Sequence, residues 1–392
     1  MSEDPYRLLG EPDPAAGEAD TASARPPRDH ALDVVRGLCI VSMCTAHLAA
    51  GSWPYQIAHV AVWWTDGAVG FVMLSGVVVG MVQRSTIGRA GLAAGQRKLL
   101  GRTGEIYLAN LALCLVAFLL VAFDPSRAGP YPSVQALGGG VSAVIATLTL
   151  QVNPRATSIL SLFVVLLLLT TGAVAALQRR RVPVLIGASL ALYVAGRVWP
   201  EVFTFPLQPG VPGVVNWASW QLMFAGALLI GWYWNAPAVR WALASRRMLA
   251  AAVVLVAVGA AIGWTVGLGS PDLWRAPVDW VFSEGTLGPG TILLAFAAVL
   301  VAYRACRFLV RVAGPVVSPI GRIGRRSLDC YLILSAVVIV APSVYRYSPT
   351  GLLAVAVTLA VLIVMWGWCL FRDVLAARRT ISDRRRAAAL HA

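Results

Sequence analysis

Residues 157–177 read TSILSLFVVLLLLTTGAVAAL, twenty-one consecutive residues without a charged side chain. At a rise of about 1.5 Å per residue, a helix of this length crosses a hydrocarbon core of about 30 Å. Nine further long apolar segments occur, at 31–50, 66–83, 104–123, 182–198, 217–235, 248–268, 288–311, 326–345 and 351–371. The sequence therefore predicts an all-α fold, a polytopic membrane helical bundle with about ten transmembrane helices.

The composition excludes the other common classes of protein. Hydrophobic residues make up 58% of the 392 residues and charged residues only 13%, whereas soluble domains average about 45–50% and about 25%. A transmembrane β-barrel would show short segments of alternating polarity instead of long apolar runs. A soluble, disordered or fibrous protein does not fit this composition.

The basic residues indicate how the chain crosses the membrane. Ten spans with a cytoplasmic N-terminus place all but five of the 32 basic residues on one side, as the positive-inside rule requires. If the weaker apolar segment 134–150 also crossed, every later arginine cluster would be inverted, so we predict a short interfacial or re-entrant helix there. The net charge of +14 is thus explained by topology and not by nucleic acid. Both termini are predicted to be cytoplasmic.

The chain divides into three regions by composition. Residues 1–30 are acidic and proline-rich, which predicts a disordered cytoplasmic tail. The transmembrane domain covers 31–372, and 373–392 form a basic cytoplasmic tail. The six cysteines lie in or beside apolar runs without CxxC or metal-ligand spacing, so neither a disulfide framework nor a metal site is predicted. No permanently bound cofactor is expected, and the oligomeric state is not predicted.

The first span carries the most informative polar residues. Charged groups at bilayer depth cost at least about 2.5 kcal/mol each, so those retained tend to be functional. Asp33 and Arg36 are three residues apart and can pair, and His47 returns to the face of Arg36 after about three turns. This stripe predicts a catalytic group with His47 as the proton acceptor. A hydrogen-bonded core histidine with a snorkelling arginine is the structural alternative.

The third span is entered through a basic stretch. Lys98, Arg102 and Glu105 share one helical face by their i, i+4 and i+3 spacing. A cluster of basic residues at the predicted cytoplasmic end of a helix suits a polyphosphate such as coenzyme A. Ordinary positive-inside anchoring is the alternative, with Glu105 neutralising Arg102.

Further polar residues lie in or at the ends of spans. We predict that they contact the substrate: Asp66, Ser75, Asn110, Trp220 and Gln221. The indole and amide of the last two could bind a sugar at an outer helix end, although an interfacial girdle of aromatic residues would have the same composition.

Several motifs in order resemble one family. They are LDVVRG at 32–37, the Arg36-to-His47 spacing, DGAVGFVMLSG at 66–76, the stretch 102–110, the stretch 150–166 with its Asn153-Pro154 pair, NWASWQLMF at 216–224 and Leu287-Gly288-Pro289. Together they resemble the OpgC family, named for osmoregulated periplasmic glucan succinylation, within the membrane acyltransferase type 3 superfamily. The similarity extends from about residue 31 to 340.

The resemblance implies an O-acyltransferase of a bacterial cytoplasmic (inner) membrane. It implies acyl-CoA as the donor substrate and a hydroxyl of an extracytoplasmic glycan or glycolipid as the acceptor, with succinyl one candidate for the acyl group. His47 would then be the general base, Arg36 fixed by Asp33 would orient the donor, and Lys98 and Arg102 would hold its phosphates.

Four departures from the family pattern keep two other functions open. Polar residues of the family are replaced by Ala46, Val69, Asn110 and Ser158. A catalytically inactive family member acting as a membrane partner would tolerate such losses. A transporter or flippase for an anionic lipid or glycan would use the same intramembrane charges to line its pathway.

Overall fold

The computed structural model describes residues 29–60, 65–125, 131–267, 272–344 and 351–390. Nearly all of the predicted N-terminal tail lies outside these ranges. The helices within them are α1 (His30–Leu48), α2 (Trp53–Val60), α3 (Gly67–Phe123), α4 (Gly140–Leu148), α5 (Ser158–Gln178), α6 (Val182–Val198), α7 (Pro200–Phe203), α8 (Trp217–Trp232), α9 (Pro237–Ala244), α10 (Arg246–Gly267), α11 (Asp272–Val281), α12 (Pro289–Val312), α13 (Gly314–Arg325), α14 (Ser327–Val344) and α15 (Leu352–Leu390).

Within the described ranges, each of the ten predicted apolar segments forms a helix over most of its length. By length and composition, six helices of the described ranges could cross a membrane, and α8 with α9, bent by 107°, makes a seventh if the pair forms one span. Helix α3 is one of the six although it contains two predicted segments, and α6 and α14 are shorter apolar helices. The fold is a helical polytopic membrane bundle, as predicted.

Helix α3 is divided by a glycine hinge. Its 57 residues contain one non-helical position, Gly91, with φ 79° and ψ 170°. This positive φ favours glycine, because a Cβ would clash there with the backbone. A Cβ built at Gly95 would lie 2.6 Å from Ile87 Cγ1 and 2.7 Å from Gln83 Oε1. The two halves therefore pack against each other directly after the hinge, inside the basic stretch between the predicted spans.

The weak apolar segment at 134–150 forms only the short helix α4. Its 9 residues rise about 14 Å, roughly half of the hydrocarbon thickness. Gly138 and Gly139 precede it with φ values of 80° and 108°, which end the preceding turn. A helix of this length fits the predicted interfacial or re-entrant element and is too short to cross a bilayer.

Helix α13 was not among the predicted elements, because its sequence mixes glycines, prolines and arginines. It packs so closely on α1 that glycine is required on both sides. A Cβ at Gly37 would lie 2.1 Å from the Ile320 carbonyl oxygen, and a Cβ at Gly324 would lie 1.8 Å from the Asp33 carbonyl oxygen. The first span is thus held by a helix from the segment that joins two later spans.

The C-terminal helix does not end with the last predicted span. Helix α15 continues from Leu352 to Leu390, so it passes through residue 373 without a break. The predicted boundary between the transmembrane domain and the basic tail therefore marks a change in charge and not in secondary structure.

Candidate active site

Arg36 points into the bundle and contacts two other helices. Its Nη2 donates a hydrogen bond to Ser327 Oγ of α14 at 2.6 Å. Its guanidinium carbon lies 6.0 Å from the centroid of the Phe71 ring on α3. A hydrogen bond and an aromatic face both favour a cation in a low-dielectric environment. The structure therefore places this guanidinium where α1, α3 and α14 meet.

Three aromatic rings, here called the aromatic shelf, lie beneath this position. Phe71 stacks on Tyr331 with centroids 5.8 Å apart and meets Phe163 edge-on at 5.5 Å. The Tyr331 hydroxyl donates to the carbonyl oxygen of Ala156. All three rings are buried, so the shelf is a rigid apolar floor beside the Arg36 guanidinium.

Asp33 and His47 lie towards opposite ends of α1. Asp33 is buried in the first turn, and His47 is exposed in the last turn. Eleven residues of helix separate His47 from Arg36, which is about 16 Å along the axis. The predicted polar stripe thus runs from a buried end at Asp33 to an exposed end at His47. The catalytic roles of these three residues stay predictions.

The start of α3 is pressed against the middle of α1. A Cβ at Gly67 would lie 2.5 Å from the carbonyl oxygen of Cys39. The preceding residue, Asp66, caps α3, because its Oδ1 accepts a hydrogen bond from the Val69 amide at 2.8 Å. This contact brings the Asp66 carboxylate beside the section of α1 that lies between Arg36 and His47.

A second carboxylate, Glu284, was missed by the sequence analysis. It lies in the loop of residues 282–288, between α11 and α12, and is accessible to solvent. Burial among surrounding atoms and, secondly, the nearby Asp66 carboxylate raise the pKa of Glu284 above its ordinary value. The fold thus lets a carboxylate more than 200 residues away in the chain influence Glu284.

Arg197 at the end of α6 holds the 282–288 loop. Its Nη1 donates to Ser283 Oγ at 2.9 Å and to Thr286 Oγ1 at 2.6 Å, and its Nη2 donates to the Trp280 carbonyl oxygen at 2.6 Å. The guanidinium also lies 4.8 Å from the Trp280 ring. One side chain therefore connects both ends of the loop to α6.

Two further side chains hold the same loop from α6 and α8. The Tyr193 hydroxyl donates to the Leu287 carbonyl oxygen at 3.0 Å, and Trp220 Nε1 donates to the Gly285 carbonyl oxygen at 3.0 Å. Leu287 has a φ of 40°, a conformation that costs a residue with a Cβ about 1–3 kcal/mol. These contacts hold a strained loop in place. Ser283 and Thr286 are bonded to Arg197, whereas Glu284 faces outward.

We expect Arg197→Ala to lower the free energy of unfolding by about 2–3 kcal/mol, because several charge-assisted hydrogen bonds are lost together. Thermal unfolding of the purified protein in detergent measures the change. Arg181→Ala, at an exposed arginine at the other end of α6, is the matched control. Equal midpoints for the two variants would show that the loop does not depend on Arg197.

Glu284→Gln should alter how stability depends on pH. A raised pKa means that the folded protein binds the Glu284 proton more tightly than the unfolded chain does. The resulting stabilisation is present below the ordinary value of 4.5 and is lost as the pH rises towards the raised pKa. The unfolding temperature of the variant, measured relative to that of wild type, should therefore rise as the pH increases from about 4 to 7. A constant difference over this range, measured beside the exposed-glutamate control Glu201→Gln, would contradict the shift.

Ser75 and Gln221 use their polar atoms within the fold. The Ser75 hydroxyl donates to the Phe71 carbonyl oxygen of its own helix at 2.8 Å. Gln221 Nε2 donates to the Ser189 carbonyl oxygen at 2.7 Å and so connects α8 with α6. With Trp220 bonded to the 282–288 loop, three of the predicted substrate contacts have structural partners. Their role towards a substrate stays a prediction.

Asn110 belongs to a buried polar chain between α3 and α5. Its Nδ2 donates to Ser161 Oγ at 3.2 Å, and Ser161 donates to Asn153 Oδ1 at 2.5 Å. Asn153 in turn donates to the carbonyl oxygens of Leu150 and Pro206. Asn110 thus connects α3 with α5, and Asn153 connects α5 with the irregular segment at 149–154. The structure brings Asn110 to this network and not into contact with Arg36.

The three predicted donor-binding residues lie on the second half of α3. Lys98, Arg102 and Glu105 are exposed, and Arg102 Nη1 forms an ion pair with Glu105 Oε2 at 2.6 Å. The side chains of Arg102 and Glu105 are 47% and 66% exposed, so this ion pair contributes little to stability. The structure therefore keeps the predicted basic face, with one of its two cations neutralised.

One comparison with known proteins identifies the family. The profile of the OpgC protein family matches residues 28–376, nearly the whole chain. The chain belongs to the OpgC family. No match is found among curated proteins and none among solved structures.

OpgC membership agrees with the fold and gives the general function. The apolar helices make the chain a multi-pass membrane protein, and the family suggests a bacterial envelope membrane and a membrane-associated, glucan-modifying acyltransferase in general. Three residues near the OpgC polar stripe escaped the sequence analysis: Ser327, Tyr331 and Glu284. A serine and an aromatic ring in an apolar span, and one glutamate in a loop, carry no periodic signal that would single them out.

Proposed function

We propose that this OpgC family member transfers an acyl group from cytoplasmic acyl-CoA to a hydroxyl of an extracytoplasmic glycan or glycolipid. The observation that supports this most is the polar stripe of α1. It joins a half-buried guanidinium, bonded to Ser327, to an exposed imidazole about 16 Å further along the same helix. A donor and an acceptor that enter from opposite sides of a membrane would need such an arrangement.

In this proposal the reaction takes place at the His47 end of the stripe, and the Arg36 end holds the donor. The acceptor hydroxyl oxygen attacks the thioester carbonyl carbon while His47 takes the hydroxyl proton. The carbon–sulfur bond then breaks, an ester bond remains, and the coenzyme A thiolate receives the proton from His47. Arg36, with its hydrogen bond to Ser327, holds the donor near the aromatic shelf. No metal ion is needed for this sequence of steps.

Reconstituted protein tests the proposal. Proteoliposomes receive radiolabelled succinyl-CoA on one side and a soluble β-glucan oligosaccharide on the other, and mass spectrometry measures ester formation on the sugar. We expect the ester only when protein and donor are both present. Uptake of the oligosaccharide without any need for succinyl-CoA would instead favour a transporter. Binding of neither compound would favour an inactive membrane partner.

A further inference from the structure

Three arginines surround the inner end of the α1 stripe. Arg322, Arg325 and Arg326, here called the arginine junction, occupy the last turn of α13 and the residue that joins it to α14. The sequence analysis counted them only as part of the cytoplasmic positive charge. Their position in the fold gives them a more specific environment.

Two contacts fix the arginine junction beside Arg36. Gly324 touches the backbone of Asp33, and Ser327 accepts the hydrogen bond from Arg36. Arg325 and Arg326 lie between these two contact points in the chain. The junction is therefore within about one helical turn of the position where the guanidinium of Arg36 enters the bundle.

The charges at the junction are only partly neutralised. Arg325 and Arg326 each form an ion pair with Asp373 of α15 at 2.8 Å. Arg322 also lies near that carboxylate, yet its side chain forms no hydrogen bond or ion pair within the described residues. Three cations thus face one carboxylate.

A neighbouring pair adds a fourth cation and a second carboxylate. Arg372 Nε lies 3.8 Å from Asp329 Oδ2, which also accepts a hydrogen bond from Trp368 Nε1 at 3.2 Å. Among the described residues, the surface where α13, α14 and α15 meet therefore keeps two positive charges in excess. The C-terminus of α13 and the N-terminus of α14 meet here, so their helix dipoles oppose each other and the excess comes from the side chains.

This environment suits phosphate groups. Arginine guanidinium groups bind phosphate oxygens through paired, charge-assisted hydrogen bonds. A polyphosphate held at the arginine junction would let its long arm run past Arg36 and the aromatic shelf, with the thioester at its end directed towards His47. The basic face on α3 has a smaller excess of positive charge, because Glu105 offsets one of the two cations, Lys98 and Arg102.

We propose that the arginine junction binds the phosphate groups of the acyl-CoA donor. This inference rests on the proposed function, since it places the donor of that reaction. Arg322, whose side chain has no ion pair within the described ranges, contacts the phosphate directly. Arg325 and Arg326, held by Asp373, form the opposite wall of the phosphate site.

The test compares a donor that carries the phosphates with one that lacks them. The ratio of kcat/KM for succinyl-CoA to kcat/KM for the succinyl thioester of pantetheine measures the contribution of the phosphates. We expect Arg322→Gln to reduce this ratio by on the order of tenfold, through KM and not kcat, as for the loss of one charge-assisted hydrogen bond. Arg311→Gln, at an exposed arginine at the end of α12, controls for the loss of one cytoplasmic charge.

A binding measurement separates this inference from the proposed function. Titration calorimetry with coenzyme A itself needs no turnover, and Arg322→Gln should weaken binding on the order of tenfold. If wild type and Arg322→Gln bind coenzyme A equally, the site at the junction is refuted while acyl transfer can stand. A tenfold loss in Lys98→Gln/Arg102→Gln instead would also refute it. If wild type neither binds coenzyme A nor transfers the acyl group, the proposed function itself fails.

Discussion

His47→Gln should lower the rate of acyl transfer by about 10²–10⁴-fold, the usual contribution of a positioned general base. Glutamine keeps a similar size and hydrogen-bonding capacity but cannot take up the hydroxyl proton. The side chain is exposed in the last turn of α1, so the substitution should leave the fold intact. The rate of ester formation in proteoliposomes measures the effect.

The loss at His47 should appear mainly in kcat, because proton transfer belongs to the chemical step. His30→Gln provides the matched control, since His30 is also exposed and begins the same helix. The unfolding midpoint of each variant shows that both are folded. Transfer at the wild-type rate by folded His47→Gln protein would remove His47 from the mechanism.

Gly324→Ala should be among the most destabilising single methyl additions in the described part of the chain. The new Cβ would lie 1.8 Å from the Asp33 carbonyl oxygen and 2.7 Å from the Gly37 amide nitrogen. Both atoms belong to the backbone of α1, so no side-chain rotation relieves the clash and α13 must move away. We expect a loss of about 3 kcal/mol or more in the free energy of unfolding.

Gly314→Ala is the matched control for this packing. It adds the same methyl group to the other end of α13, where no atom lies within 4 Å. A similar midpoint for both variants in thermal unfolding would contradict the close α1–α13 contact. Gly324→Ala should also weaken coenzyme A binding, because displacement of α13 moves the arginine junction away from Arg36.

The membrane fold could be predicted from local composition. An apolar segment of about 20 residues must become a helix in a bilayer, because each backbone polar group has to be satisfied within the segment. This constraint acts on every span separately, so neighbouring spans do not decide whether a segment is helical. It explains why the segment at 157–177 is helical as predicted, and why 134–150 forms only a short helix. The spacing from Arg36 to His47 also depends on one helix alone.

Other features depend on how distant segments pack. Helix α13 is stable because it rests on Gly37, and that contact joins residues nearly 300 positions apart. The hydrogen bond from Arg36 to Ser327 likewise joins separate helices, and Asp66 influences Glu284 from a distant part of the chain. The periodicity of a single segment contains no information about such distances.

The chain alone was therefore sufficient to establish its helical membrane class, its family resemblance and the polar stripe on α1, since each is encoded within one stretch of residues. The partners of that stripe emerged only when the helices were brought together. Ser327, Glu284 and the arginine junction are ordinary loop or helix-end residues until glycine contacts draw α13 and α3 against α1. Packing at those glycines is what converts one polar helix into a candidate catalytic site.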